Sequence, residues 1–206
     1  MGRRRTIDRE AVLDAAERVV IRDGAARLTL DAVAVEAGIS KASVLYDYGC
    51  KQALIRTVIE RCIECKETRV RTKASSLDGP DAYLRARIAL ASDPLPDKDR
   101  ALTFGLLASL AQDEELRGPI RKAYCSALSE VSTTAAEPRG AMLAFLALEG
   151  LRSLEWLGLH SWAQEERATL LSDIGRLLAQ RPEPADGADV ATGQPAETVG
   201  CRETGT

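Results

Sequence analysis

Three groups of side chains in this chain have types and spacings that chemistry can use. The first is a polar run, Ser40-Lys41-Ala42-Ser43-Val44-Leu45-Tyr46-Asp47-Tyr48. Wound as a short helix over 41–48, it turns Lys41, Ala42, Ser43, Tyr46 and Asp47 outward and Val44 and Leu45 inward. An ammonium, a hydroxyl and a phenol on one exposed face suit base edges and phosphate oxygens. The second is Cys62-x-x-Cys65, a spacing shared by zinc ligands and redox thiols. Zinc needs four ligands and no second cysteine pair exists, so both thiols read as small buried hydrophobes on a stripe with Leu54 and Val58. The third is Cys50 before Lys51 at a helix N-terminus, two features that favour thiolate and would place a redox switch against DNA. His160 is the only histidine, and it supports neither a triad nor a metal site. No nucleophile–base–orienter set and no phosphate-cradling glycine loop occurs, so the expectation is no catalytic residue, no metal, no cofactor and no enzyme.

The elements around the polar run explain how it would be held. Thr29 caps a helix over 30–37, its hydroxyl accepting from a free amide of the first turn. Val33, Ala34 and Ala37 share that helix's buried face. Gly38 ends it in the left-handed conformation, Ile39 pins the turn, and Ser40 caps the next helix. A first helix over 8–22 braces the pair with Val12, Ala15, Ala16, Val19 and Val20. A long fourth helix leaves at Lys51 and runs to about residue 73. Helix, glycine turn, small-residue helix is a helix-turn-helix, whose second helix enters a DNA major groove.

Residues 7–56 resemble the DNA-binding domain of the TetR family of transcriptional regulators. The matching positions are Val12, Leu13, Ala15 and Ala16, then Gly24, Thr29, Ala37-Gly38-Ile39-Ser40-Lys41, Tyr48, Lys51 and Leu54. Two positions depart from the pattern. Leu45 stands where tyrosine is usual, with Tyr46 one place later, and Asp47 stands where His or Tyr is common. A carboxylate facing phosphate is unfavourable, but it can accept from a cytosine amine. On this resemblance the surface against DNA comprises Thr29, Ser40, Lys41, Ala42, Ser43, Tyr46, Tyr48 and Lys51, with Thr29 and Lys51 on backbone phosphates. Arg3, Arg4 and Arg5 form an arm that either enters a minor groove or merely solubilises the terminus.

The resemblance further implies an all-α protein, most often a repressor, released from its operator by a small molecule. It implies a helical body with a cavity for an apolar inducer and a fourth helix that joins head to body. Phe104, Leu107, Tyr124, Leu128 and Trp156 are the expected lining, with Tyr124 or Trp156 as polar anchor to a mostly hydrophobic effector. The expected homodimer forms through the last two helices, pairing Leu146, Leu154 and Leu157 with Leu171, Ile174 and Leu178. A two-fold dimer matches a palindromic double-stranded operator. The rival readings are a thiol-based redox regulator, a small helical thiol enzyme, and a protein that coats DNA without specificity.

Composition bounds these readings. The 206 residues carry a formal net charge of −3, which disfavours non-specific coating of DNA. Residues 1–56 hold ten Lys/Arg against eight Asp/Glu, a local +2, which leaves −5 for the rest. Phosphate contact needs only local positive charge. No apolar stretch follows the N-terminal arginines, so a secretory signal is not expected. The apolar run 141–159 is interrupted by Glu149, Arg152 and Glu155, and a membrane span does not readily tolerate three charges. Five irregularly spaced cysteines argue against a disulfide framework and for a cytoplasmic setting.

Beyond the fourth helix the chain breaks at Asp78-Gly79-Pro80, with Pro80 in the first turn of a helix over 81–91. Asp93-Pro94-Leu95-Pro96 breaks it again. A sixth helix over 97–112 is apolar almost all round, and Gly118-Pro119 marks a kink or a fresh start before a seventh helix ending near 133. The eighth covers 138–159. Ser161 with Gln164 makes a capping box for a ninth over 162–180. The expected organisation is a DNA-binding head over 7–67, a regulatory and dimerisation body over 68–181, and a disordered tail over 182–206, where prolines, glycines and scattered acids bury too little to offset ordering entropy.

Overall fold

The computed structural model describes residues 8–93, 96–110 and 113–179. Arg3, Arg4 and Arg5 and the expected tail lie outside them. Among the described residues there are nine α-helices, one 3-10 turn and no strand. The helices are α1 (Arg9–Asp23), α2 (Leu30–Ala37), α3 (Lys41–Tyr48), α4 (Lys51–Ala74), α5 (Ala82–Leu90), α6 (Asp97–Leu110), α7 (Glu114–Thr134), α8 (Pro138–Trp156) and α9 (Gln164–Arg176), followed by the 3-10 turn Leu177–Ala179.

Among the described residues, side-chain caps set four of the nine helix starts. Asp8 accepts from the amides of Glu10 and Ala11, Thr29 from Ala32, Ser40 from Ser43, and Asp113 from Glu115 and Leu116. Each cap satisfies donors that the first turn cannot. Gly38 adopts φ 66°, ψ 32° and returns its N–H to the Ala34 and Val35 carbonyls, so the turn between α2 and α3 is fixed by a residue without a Cβ.

Four expected boundaries differ. Pro80 lies outside α5, because Asp81 takes a left-handed φ of 61° and the helix opens at Ala82. α7 runs unbroken through Pro119, although a proline beyond the first turn removes one i→i−4 hydrogen bond. α8 ends at Trp156, and Gly158 with φ 66° turns the chain. α9 opens only at Gln164 behind Ala163, with no side-chain cap bond, so Ser161 does not cap it.

Two hydrophobic cores result. The head core collects Val12, Val19, Val20, Leu28, Val33, Val44, Leu54 and Val58 from α1–α4 and their connections, and it also takes Leu102 and Leu106 of α6 and Leu116 of α7. The body core gathers Tyr83, Leu84, Phe145, Leu148, Leu171, Ile174 and Leu178 around Val70 of α4. A boundary at residue 67 divides the chain but not the packing, since the head core is completed by body helices.

Candidate nucleic-acid interface and ligand cavity

The short helix α3 has one fully buried side chain, Val44, with Tyr48 half-buried against the head core at its end. Tyr46 is 81% exposed and Leu45 47% exposed, so Leu45 is not an inward residue. Lys41 and Ala42 are exposed and Ser43 half-buried, its hydroxyl 2.8 Å from that of Ser40. The Lys41 ammonium pairs with Asp31 at 2.7 Å in full solvent exposure, a contact worth little and readily exchanged for phosphate.

Two candidate DNA contacts have structural work as well. The Lys51 ammonium donates to the Ala26 carbonyl at 2.6 Å, which ties α4 to the α1–α2 connection and leaves two further donors on the nitrogen. Tyr48 does not project from the helix face. Its ring packs on the head core, and its hydroxyl donates to the Arg9 carbonyl at 3.4 Å. Thr29 keeps its hydroxyl proton after capping α2.

Charge pairs brace this surface from behind. Arg18 and Arg22 of α1 both reach Glu36 of α2 at 2.8 Å. Arg61 of α4 meets Glu10, Asp14 and Glu17 of α1 at 3.0, 2.9 and 2.6 Å. Three carboxylates around one mostly buried guanidinium tie α4 to α1.

Beyond Ile59 the buried face of α4 lapses until Val70. Along that gap a cavity of about 400 Å³ opens between α4, α5, α6, α7 and α8. Its apolar wall includes Ile59, Ile63, Leu106, Leu107, Leu110 and Ile120. Its polar wall includes Lys66, Arg87, Tyr124, Glu149, Arg152 and Trp156, with Glu67, Arg69, Asp93 and Asp99 further round the lining. Glu149 is the centre of that wall: Arg87 donates to one oxygen at 2.6 Å, Tyr124 to the other at 2.8 Å, and Arg152 stands 3.7 Å away. Burial pushes the Glu149 carboxyl up, but Arg87 and Arg152 outweigh it and hold the group below its ordinary value. Burial and the neighbouring Glu149 push the Tyr124 phenol up to about 12. The Arg152 guanidinium and the Lys66 ammonium lie 4.4 Å and 5.0 Å from the centre of the Trp156 ring.

Leu107, Tyr124 and Trp156 line the cavity as expected from the sequence, and Phe104 and Leu128 do not. Phe104 is 59% exposed, because α6 docks on the head through Leu102 and Leu106 and turns Phe104 away from both. Leu128 packs on the body core. The wall also carries charged side chains that the expected lining did not include. Glu149 and Arg152, which interrupt the apolar run of α8, are its polar centre, and that interruption was the signal for them in the sequence. Lys66 and Arg87 carried no such mark.

The expected dimer residues separate into two groups. Leu146, Leu154 and Leu157 are exposed, and Leu143 joins them. Leu171, Ile174 and Leu178 are buried in the body core of the same chain and offer nothing to a partner. α9 packs its only apolar stripe against α8 and α5, which consumes it.

The two thiols of Cys62-x-x-Cys65 face different surroundings. Cys62 is half-buried against the head core and the cavity, and burial followed by Glu17 pushes its thiol up to about 11. Cys65 is exposed, and both are free, as is Cys50. Cys62 is therefore protonated near neutral pH, the opposite of a reactive thiolate. His160 stacks edge-on with Trp162 at 4.1 Å on the surface. Among the described residues no three His, Cys, Asp or Glu side chains are grouped to hold a metal ion, and no helix is long and apolar enough to cross a membrane.

Two family descriptions match the chain. "Bacterial regulatory proteins, tetR family" matches residues 12–58, and "Tetracyclin repressor-like, C-terminal domain" matches residues 81–179. No curated protein matches. Among solved structures, a proposed transcriptional regulator from Streptomyces coelicolor is 20% identical with TM-score 0.68, covering 84% of this chain and 98% of its own. A proposed regulator from Saccharomonospora viridis, in complex with choline, is 16% identical with TM-score 0.66, covering 82% and 95%. The multidrug binding protein EbrR, complexed with ethidium, is 22% identical with TM-score 0.64, covering 82% and 97%. At these identities the likeness is one of fold.

Proposed function

The chain belongs to the TetR family of transcriptional regulators, and from that premise we propose that it is a repressor released from its operator when a small molecule enters the cavity. The head, taken as 7–67, reads DNA, and the body, taken as 68–181, senses and dimerises. Its place of work is then the cytoplasm, where the operator lies. The observation that carries the reading is the double role of α6. Leu106 of that helix belongs to the head core and also lines the cavity, so a molecule seated there presses on the same residue that packs the head.

In the bound state, Lys41 and Ser43 meet base edges or phosphate, Tyr46 meets phosphate or a thymine methyl, and Thr29 and Lys51 meet backbone phosphates. Two such heads read half-sites of a roughly palindromic duplex about one helical turn apart or slightly more. The exposed leucines of α8, with Ala147 and Gly150 between them, form one stripe. Alongside it α9 presents Ala168, Ser172 and Gly175, small enough to receive leucines from a partner. These two stripes are the face that a four-helix contact between two copies would use. Neighbours of the same fold hold choline and ethidium, which supports a ligand-binding body here.

Release requires that the effector favour the DNA-incompetent arrangement by roughly 1–3 kcal/mol or more, and DNA must weaken effector binding by the same factor. The test begins with duplexes selected from a random pool and compared with random duplex in one salt titration. Leu107→Trp, which fills the cavity, should retain operator affinity and lose release by any compound that frees the wild type. Equal affinity for selected and random duplex would overturn the reading, as would release of the filled variant at wild-type concentrations.

A further inference from the structure

The charged side chains of the cavity are unequally satisfied. Both oxygens of Glu149 are taken, by Arg87 and Tyr124. Both oxygens of Glu67 are taken, by Arg71 at 2.8 Å and by Tyr83 at 3.1 Å. Asp93 and Asp99 belong to the α5–α6 side of the wall, Asp93 exposed and Asp99 half-buried. The cations differ. Among the described residues, Lys66 has no hydrogen bond and no ion pair, and Arg152 has only the 3.7 Å approach to Glu149, too long for a hydrogen bond. The Nε of Arg87 is buried without a partner as well. Lys66 and Arg152 lie within 5.0 Å of the centre of one indole ring, so two positive charges converge on Trp156 with their donors unspent.

Convergence of like charges in a partly desolvated wall is unfavourable by itself. Desolvation first, and Arg152 second, push the Lys66 ammonium below its ordinary value. Desolvation and Arg87 push Arg152 down, against the pull of Glu149. A single anion between them relieves the repulsion and accepts the free donors, and charge-assisted hydrogen bonds of this kind are the strong ones. One stretch of the wall, made by Ile59, Ile63, Leu107, Leu110 and Ile120, is apolar.

We infer that the effector is an apolar molecule with one anionic headgroup, seated between Lys66 and Arg152 over Trp156. This rests on the reading of the cavity as the effector site. It sets this chain apart from the neighbours that hold choline and ethidium, both cations, which would meet an ammonium and a guanidinium here.

Calorimetric titration of the full chain with decanoate, decyl phosphate, decanol and decyltrimethylammonium, all below their micelle thresholds, tests it. One or both anions should bind at least roughly tenfold more tightly than decanol and the cation, and the tighter anion names the headgroup as carboxylate or phosphate. Arg152→Gln and Lys66→Met should each lose roughly tenfold toward the anion with decanol unchanged, and circular dichroism with urea unfolding of both variants shows that they are folded. Decanol or the cation binding as tightly as the anions overturns the inference and leaves the cavity a ligand site. Binding of none of the four overturns the inference and the effector-site reading together.

Discussion

Gly105 of α6 lies against Val20 of α1 with no room for a side chain. A Cβ at Gly105 would meet the Val20 Cγ1 at 2.9 Å and the Val20 carbonyl oxygen at 3.0 Å. The Gly105 carbonyl accepts from the Ala25 N–H at 3.3 Å. A cavity-lining helix thus touches the first helix of the head backbone to backbone, beside the long route through α4. Gly105→Ala forces the two helices apart, and the Val20 backbone cannot yield as a flexible side chain would. The expected cost is about 1–3 kcal/mol in urea unfolding. Operator affinity should change with it, since α1 carries α2 and α3. A variant as stable as the wild type, with unaltered operator affinity, would show that this contact transmits nothing.

Much of the head was legible in the sequence because its signals are local. Thr29, Gly38 and Ser40 each act within a turn of their own position, and cap and glycine chemistry marks them in any context. The body was less legible because its partners are distant in sequence. Periodicity shows that α9 has an apolar stripe but not whether α8 of the same chain or a second copy covers it, so Ile174 and Leu171 were assigned to the wrong surface. Phe104 failed for a related reason: a helix apolar on every side does not declare which side meets the head. Leu45 failed because the inward side of α3 is made by Val44 and Tyr48, one turn apart, and not by Leu45.

The DNA surface is tested through two side chains with different partners. Lys51 offers charge to a phosphate while holding the Ala26 carbonyl. Lys51→Ala should weaken binding to all duplexes alike and flatten the dependence of log affinity on log salt by about one unit. Tyr46, in the last turn of α3, is 81% exposed and is not part of the head core. Tyr46→Ala should change the preferred sequence at one position of each half-site. Intact affinity of Lys51→Ala at physiological salt would remove α4 from the DNA backbone.

The dimer reading separates exposed from buried leucines. Leu146 is 56% exposed, and a Cβ at Gly150 would meet nothing within 4 Å, so neither position is needed to fold one chain. Leu146→Asp and Gly150→Leu should each give folded monomers by light scattering and circular dichroism. Ile174→Asp should instead lose the fold, because an unpaired carboxylate in the body core costs several kcal/mol. Dimers from both surface variants would move the interface off α8.

Glu149 makes the cavity wall sensitive to acid. Its side chain is 12% exposed and that of its partner Arg87 13% exposed, so solvent screens the pair little. The carboxyl is held below its ordinary value once the two arginines outweigh burial. A group lowered on folding contributes stability that is fully present above its unfolded value near 4.5. That contribution is lost as pH falls through the lower folded value. Wild-type stability should therefore fall below about pH 5 more steeply than that of Glu149→Gln, which lacks the titrating proton. At pH 7 the variant leaves Arg87 with a weaker partner, and removal of one member of a buried pair costs roughly 3 kcal/mol. The two unfolding curves then converge on acidification, because the wild type loses below pH 4 what the variant lacks throughout. Replacing both members, as Arg87→Met with Glu149→Leu, should restore only part of the loss at pH 7, since Arg152 then loses its approach to Glu149. Parallel curves for wild type and Glu149→Gln between pH 7 and pH 3 would mean that Glu149 is not ionised against Arg87 in the folded protein.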